Sequence, residues 1–136
     1  MAAPDWEALR AAAREAMTHA YAPYSHFPVG AAVRTASGAV YAGCNVENVS
    51  YPHGTCAETG AIAAMVAAGE HTIVEVLTIA NGEQLTTCCG GCRQRIAEFA
   101  GPDTPVHAAG PEGVRRTFTL GELLPAAFGP DALAGG

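Results

Sequence analysis

No apolar run in the chain approaches the roughly 20 residues that span a bilayer. Its first residues, Met1-Ala2-Ala3-Pro4-Asp5-Trp6-Glu7, lack the basic region followed by an apolar stretch that marks a secretory leader. These absences predict a soluble, cytoplasmic protein with no membrane partner. Basic residues are scarce, 7 against 13 acidic ones, giving a formal net charge of −6 with no basic cluster beyond Arg115-Arg116. A chain without a positive patch has no means of gripping a phosphate backbone, so nucleic acid is not expected as a partner. Five cysteines is an odd number, which in a chain without a leader argues against a disulfide framework and for reduced thiols or metal ligation. Disordered and low-complexity tracts are also missing: 49% of residues are hydrophobic and only 15% charged. The 136 residues are enough for one core, so residues 1–136 read as a single domain with 131–136 as a frayed tail.

Hydrophobic periodicity supplies the elements. Trp6, Leu9, Ala13, Ala16, Met17 and Ala20 recur at steps of three and four behind Pro4-Asp5, predicting an amphipathic helix over 5–20. Val29–Thr35 and Val40–Cys44, separated by Ser37-Gly38, read as a β-hairpin. Ala57–Ala68 reads as a helix with Ile62, Met65 and Val66 on its apolar side and Gly69 as its stop. Ile73–Ala80 reads as a buried strand ending at Asn81-Gly82, and Gly91–Ala100 as a helix with Ile96 and Phe99 inward. Strands at Pro105–Ala109 and Arg115–Phe118 precede a helical stretch from Leu120 to Phe128. Alternating strands and helices imply an α/β layered domain, with helices packed on a sheet that begins as an antiparallel hairpin and continues through crossovers.

The chemistry lies in Thr55-Cys56-Ala57-Glu58 and Cys89-Gly90-Gly91-Cys92. Together they offer three thiolates and a carboxylate. Structural zinc takes four protein ligands, whereas catalytic zinc takes three and keeps a position for water. Cys56 precedes one helix and Cys89 and Cys92 straddle the start of another, so the sulfurs meet where the positive ends of two helix dipoles stabilise thiolate charge. Cys-x-x-Cys alone also fits a redox pair or a structural zinc ribbon. Joined to Cys-x-Glu it matches the signature of zinc-dependent base deaminases. The competing site is closed, with Cys44 or Cys88 as a fourth thiolate; the plainer reading of both is a small buried side chain. His26 and His53 read as surface histidines.

Several further segments fall in register from about residue 22 to 130. They are Ala22-Pro23-Tyr24-Ser25-His26-Phe27-Pro28-Val29-Gly30-Ala31-Ala32, Gly43-Cys44-Asn45-Val46-Glu47-Asn48, Tyr51, Cys89-Gly90-Gly91-Cys92-Arg93-Gln94, and Glu122-Leu123-Leu124-Pro125-Ala126-Ala127-Phe128-Gly129-Pro130. With Cys56-Ala57-Glu58 they resemble the small homotetrameric cytidine deaminases. The resemblance implies a three-layer α/β/α sandwich with a five-stranded mixed sheet and one Zn2+ per subunit. It implies hydrolysis of cytidine and 2'-deoxycytidine to the uracil nucleosides and ammonia, in pyrimidine salvage. Carried over by position, Cys56, Cys89 and Cys92 hold zinc and Glu58 shuttles protons. Phe27 lines the base pocket, the Ala57 backbone contacts the base, and Asn45 and Glu47 bind the ribose hydroxyls. Tyr51 and Phe128 reach the site, partly from a neighbouring subunit. Read without the resemblance, Asn45 and Glu47 are first of all a solvated loop end, while Phe27 is equally a core residue and Tyr51-Pro52 a plain turn. If the strand continues through Asn45 and Glu47, both side chains leave on one face and can grip adjacent hydroxyls.

The chain departs from the family pattern at three positions. The usual Cys-Ala-Glu-Arg-Thr-Ala is here Cys56-Ala57-Glu58-Thr59-Gly60-Ala61, and Cys88 replaces the proline before the Cys pair. The missing arginine removes a cation that offsets thiolate charge, and backbone N–H groups at the helix starts, the Thr59 hydroxyl or a cation such as Arg93 are expected to replace it. The altered positions leave room for a modified cytosine nucleoside as substrate, N4-substituted or resembling blasticidin S. From another class, the chain reads as a non-catalytic zinc-stabilised binding module, against which Glu58 stands, because a closed site needs no adjacent general base.

Overall fold

The computed structural model describes residues 6–134. Helix α1 (Trp6–Met17) puts Leu9, Ala13 and Met17 on one buried face, at the four-residue spacing that keeps side chains on one side of a helix. It stops at Met17, with Thr18 and His19 in a turn, three residues short of the expected end. The expected helix-start residues Pro4 and Asp5 lie outside the described residues.

Strands β1 (Val29–Thr35), β2 (Val40–Cys44), β3 (Ile73–Ala80), β4 (Pro105–Gly110) and β5 (Gly113–Thr119) form one sheet in the order β2-β1-β3-β4-β5. Only β3 and β4 pair in parallel, across α3 (Gly90–Ala97); the other pairs are antiparallel, so the sheet is mixed. Side chains alternate between two cores. Ala32, Leu77, Ile79 and Ala109 meet α1, whereas Val33, Val76 and Val106 meet α2 (Ala57–Ala67) and α3. The result is the expected sandwich of helices on both faces of a five-stranded sheet.

On the α1 face a polar row crosses four strands. Arg34 pairs with Glu75 at 3.3 Å, Glu75 with His107 at 2.6 Å, and His107 with Thr117 at 2.7 Å. Glu75 and His107 are buried, and pairing satisfies groups that would otherwise be costly to desolvate. Its central carboxylate, Glu75, lies inside Ile73–Ala80, the strand that reads as apolar.

Helix α3 ends at Ala97, three residues short of the expected Ala100, and three further expected features differ. Val66 is 40% exposed, because the buried face of α2 is Ala57, Glu58, Ala61, Ile62 and Met65. The helical stretch from Leu120 covers only α4 (Leu120–Leu123), opened by a capping box between Thr119 and Glu122. Pro125 pushes Leu124 out of the helical region, to φ −138° and ψ 69°, and Ala126 follows at φ 52°. The tail forms a short helix, α5 (Pro130–Ala134), and its last two residues lie outside the described chain.

The seat of α2 on β2 positions the site. A Cβ on Gly43 would lie 2.4 Å from the Ala61 nitrogen and 2.6 Å from the Ala57 carbonyl oxygen. Gly60 faces it across the contact, where an added Cβ would lie 3.4 Å from the Gly43 Cα. Substitution Gly43→Ala must lift α2 off the sheet and should cost about 3 kcal/mol, at the upper end of overpacking effects. Gly101→Ala, where an added Cβ meets nothing within 4 Å, should stay within about 0.5 kcal/mol. Chemical denaturation midpoints compare them, and equal values for the two variants would refute the tight seat.

Candidate active site

Cys56 is the N-cap of α2 and Cys89 the N-cap of α3, both in extended backbone, and Cys92 lies in the first turn of α3. Their three sulfurs lie within 4.8 Å of one another, with Cys56 and Cys89 3.6 Å apart. Tetrahedral zinc with bonds of about 2.3 Å requires sulfurs about 3.8 Å apart. The donor set therefore fits zinc in both chemistry and spacing. Among the described residues no fourth metal-binding side chain joins the cluster. Cys88 turns away and packs in the core beside Val33, Met65 and Ile96, where burial, with help from the Glu58 charge, pushes its thiol up to about 11. The closed site with Cys88 is thereby excluded on geometry.

The thiols sit in contrasting surroundings. Burial raises the Cys56 thiol, as does its hydrogen bond with Cys89. Burial also dominates at Cys92, where the Glu58 charge adds to the upward push. At Cys89 burial acts in the same sense, but the backbone N–H groups of Cys92 and Gly91, together with the Cys56 and Cys92 thiols, outweigh it and lower the pKa. The expectation that helix-start N–H groups offset sulfur charge thus holds at α3. Arg93 does not serve this purpose: it donates to the Cys88 carbonyl, the Leu123 carbonyl and the Thr87 hydroxyl, and so braces the loop entering α3.

Glu58, in the first turn of α2, is 3% exposed. The Thr78 hydroxyl donates to its Oε2 at 3.0 Å, which fixes the carboxylate from the sheet side. Thr78 escaped the sequence reading, although a polar residue in the apolar run Ile73–Ala80 was the available signal. A cleft of about 340 Å3 opens over these groups, of the size that takes a small molecule. Phe27, Asn45, Glu47, Tyr51, Ala57 and Glu58 all line it with Cys56 and Cys89, and Thr86 and Thr87 join them.

The loop residues are held before any ligand arrives. β2 ends at Cys44, as expected, so the condition that the strand continue through Asn45 and Glu47 is not met. Val46 instead bridges Tyr21 and Thr55. Asn45 accepts from the Val29 N–H and donates to the Phe27 carbonyl, both at 2.9 Å. Glu47 accepts from the Ser25 hydroxyl and from the N–H groups of Tyr24 and Ser25. The Ser25 hydrogen bond, followed by those backbone donors, holds its carboxyl below the usual carboxylate range. Phe128 is not brought to the cleft. It is 62% exposed and lines a separate hollow by α3 and α4, where its carbonyl accepts from Gln94. His26 and His53 are exposed, as expected.

The sequence pattern of the cytidine and deoxycytidylate deaminase zinc-binding region matches residues 4–108. The chain belongs to that family. A cytidine deaminase of Sporosarcina psychrophila is 39% identical over 130 residues, covering 96% of each chain. One from Mycobacterium tuberculosis (strain CDC 1551 / Oshkosh) is 41% identical over 130 residues, covering 95% of this chain and 93% of the relative. The crystal structure of cytidine deaminase from Burkholderia pseudomallei superposes with a TM-score of 0.83 at 40% identity, over 90% of this chain and 98% of that one. The family's matched region takes in every cleft residue named above and leaves out Phe128.

Raised thiols at Cys56 and Cys92 carry protons at neutral pH in the metal-free protein, and zinc must displace them. Displacing these two protons alone should make apparent zinc affinity fall by at least about 100-fold per pH unit of acidification from about pH 8 to 7. Competition with a chromogenic chelator, corrected for its own protonation, measures the slope. A change below tenfold per unit would contradict this picture of the thiols.

Proposed function

We infer that the protein is a zinc-dependent deaminase of cytidine and 2'-deoxycytidine, releasing ammonia and leaving the uracil nucleoside. The observation that carries the reading is the buried Glu58 carboxylate, fixed by Thr78 beside a three-sulfur cluster at the inner end of a nucleoside-sized cleft. Cys56, Cys89 and Cys92 hold the zinc, which when bound supplies Lewis-acid activation of water. Glu58 is placed to move protons in both directions. It accepts a proton from the attacking water and passes it to pyrimidine N3, which makes C4 electrophilic. The hydroxide so formed adds to C4, and Glu58 then takes the proton of the new C4 hydroxyl and delivers it to the exocyclic amine, so that the C4–N bond breaks and ammonia departs as the C4 carbonyl forms. One water is consumed for each ammonia released, and no redox partner is needed.

Recognition falls to groups that are already oriented. The Asn45 amide spends one N–H and one acceptor position on the 27–29 backbone, leaving another of each for a ligand. Glu47 is ionised and purely an acceptor, which suits sugar hydroxyl donors. Phe27 and Tyr51 offer aromatic surface to the base, and the Ala57 backbone lies at the start of α2 where base edges can bond.

Assembly as a homotetramer accounts for the aromatic and aliphatic side chains left exposed around the cleft, among them Tyr21, Tyr24, Val49 and Tyr51. It also gives Phe128 a destination in a neighbouring subunit's site. We place the enzyme in the cytoplasm, in pyrimidine salvage, acting on free nucleosides because its acidic surface offers polynucleotides no grip.

Loss of cytidine absorbance on incubation with zinc-loaded protein tests the activity, with N4-substituted cytidines, blasticidin S and adenosine as competing substrates. Turnover of one of those and not of cytidine would overturn the reading. Glu58→Ala should lower kcat by at least about 10^3-fold while zinc content and fold remain. Thr78→Val, which frees the carboxylate without removing it, should lower kcat about tenfold. Near-native turnover of Glu58→Ala would remove Glu58 from the mechanism.

A further inference from the structure

Three thiolates around a dication leave a net negative centre, and the buried Glu58 carboxylate adds to it. Such a cluster is held firmly only if nearby donors or cations offset the charge. Arg95 supplies one. Its Nη1 lies 4.0 Å from the Cys92 sulfur, and it forms no ion pair with a carboxylate among the described residues. Arg95 stands three residues beyond Cys92 on α3, so the two share a helix face. Gly91 keeps the path clear, since a Cβ there would press to 3.2 Å from the same Nη1.

The Thr59 hydroxyl approaches the same sulfur from α2, at 3.9 Å. Thr59 and Arg95 line a shallow groove that shares no residue with the cleft. Cys92 is thus approached by substrate-free surface on one side while the cleft opens over Cys56 and Cys89. The side chains of this groove lie outside the cleft and reach the cluster at the Cys92 sulfur.

We propose that Arg95, assisted by the Thr59 hydroxyl, is a positioning residue that offsets thiolate charge at Cys92 and thereby sets how tightly the site holds its metal. The proposal rests on the cluster being a zinc site. Because the guanidinium is partly in solvent, its effect is moderate and screened by salt.

Zinc affinity of wild type, Arg95→Gln, Arg95→Lys and Thr59→Val, measured by chelator competition at one pH and two salt concentrations, tests it. Arg95→Gln should weaken zinc binding about tenfold at low salt, about 1.4 kcal/mol, and by less than threefold at high salt. Arg95→Lys should recover most of the loss, and Thr59→Val should cost about threefold. With cobalt in place of zinc, the sulfur-to-metal charge-transfer band should move to longer wavelength in Arg95→Gln, because a thiolate that has lost its cation is a better electron donor. Affinity within twofold of wild type and an unmoved band would overturn the proposal. So would a loss that salt leaves unchanged and lysine fails to rescue, which marks a packing role. Wild-type protein that binds no zinc would overturn the zinc reading instead.

Discussion

Helix α2 lies so close to β2 that the strand can carry no side chain at Gly43, and the geometry of the metal end follows from that contact. The helix begins one residue after Cys56 and carries Glu58 in its first turn. Its height above the sheet therefore sets how far the carboxylate sits from Thr78 on β3 and how near the Cys56 sulfur comes to Cys89. A larger residue at 43 would move the Cys56 sulfur and the Glu58 carboxylate together. Burial of Ala61 and Met65 beside the contact stabilises the seat, with a fully buried methionine alone worth about 1.5–3 kcal/mol.

Within that frame, burial and charge oppose each other at the sulfurs. Burial disfavours thiolate at Cys56 and Cys92, whereas Cys89, most exposed of the three, gains backbone N–H groups that overcome it. The neighbours Cys88 and Cys89 show how one backbone step decides function. One points into the core between α2 and α3 and has its thiol pushed up to about 11; the other faces the cleft, with its thiol lowered. Zinc resolves the conflict for its own ligands, because a bound metal replaces the proton that burial would otherwise retain. Cys88, with no such partner, behaves as a small apolar side chain.

Local periodicity and ligand spacing made much of this legible in the sequence. Both strands of the hairpin and Ile73–Ala80 have the expected bounds because β-branched and apolar runs between turn residues leave few alternatives. The cysteine triad and Glu58 were readable because metal ligation demands particular residue types at helix starts. What escaped depends on pairing across the fold. Thr78 matters through a partner 20 residues away, and the row Arg34, Glu75, His107 and Thr117 exists only once four strands are in register. The stretch after Leu123 misled because its apolar residues resemble a helical face, whereas Pro125 dictates a turn.

Arg93 and Arg95 carry the same reasoning to the site's charge. Sequence distance favoured Arg93, yet a side chain one residue past Cys92 leaves α3 about 100° around the helix, and here it meets three oxygen acceptors that fix it to the loop. Three residues past Cys92, a side chain returns to the ligand's own face. A cation offsetting thiolate charge needs proximity to sulfur and no particular parent helix, since the field of a guanidinium depends on distance and dielectric. An arginine missing at position 59 of α2 is therefore compatible with a retained metal site, provided that α3 presents one from its exposed side. Thr59 then has room to add a hydroxyl where a longer side chain would compete for the same groove.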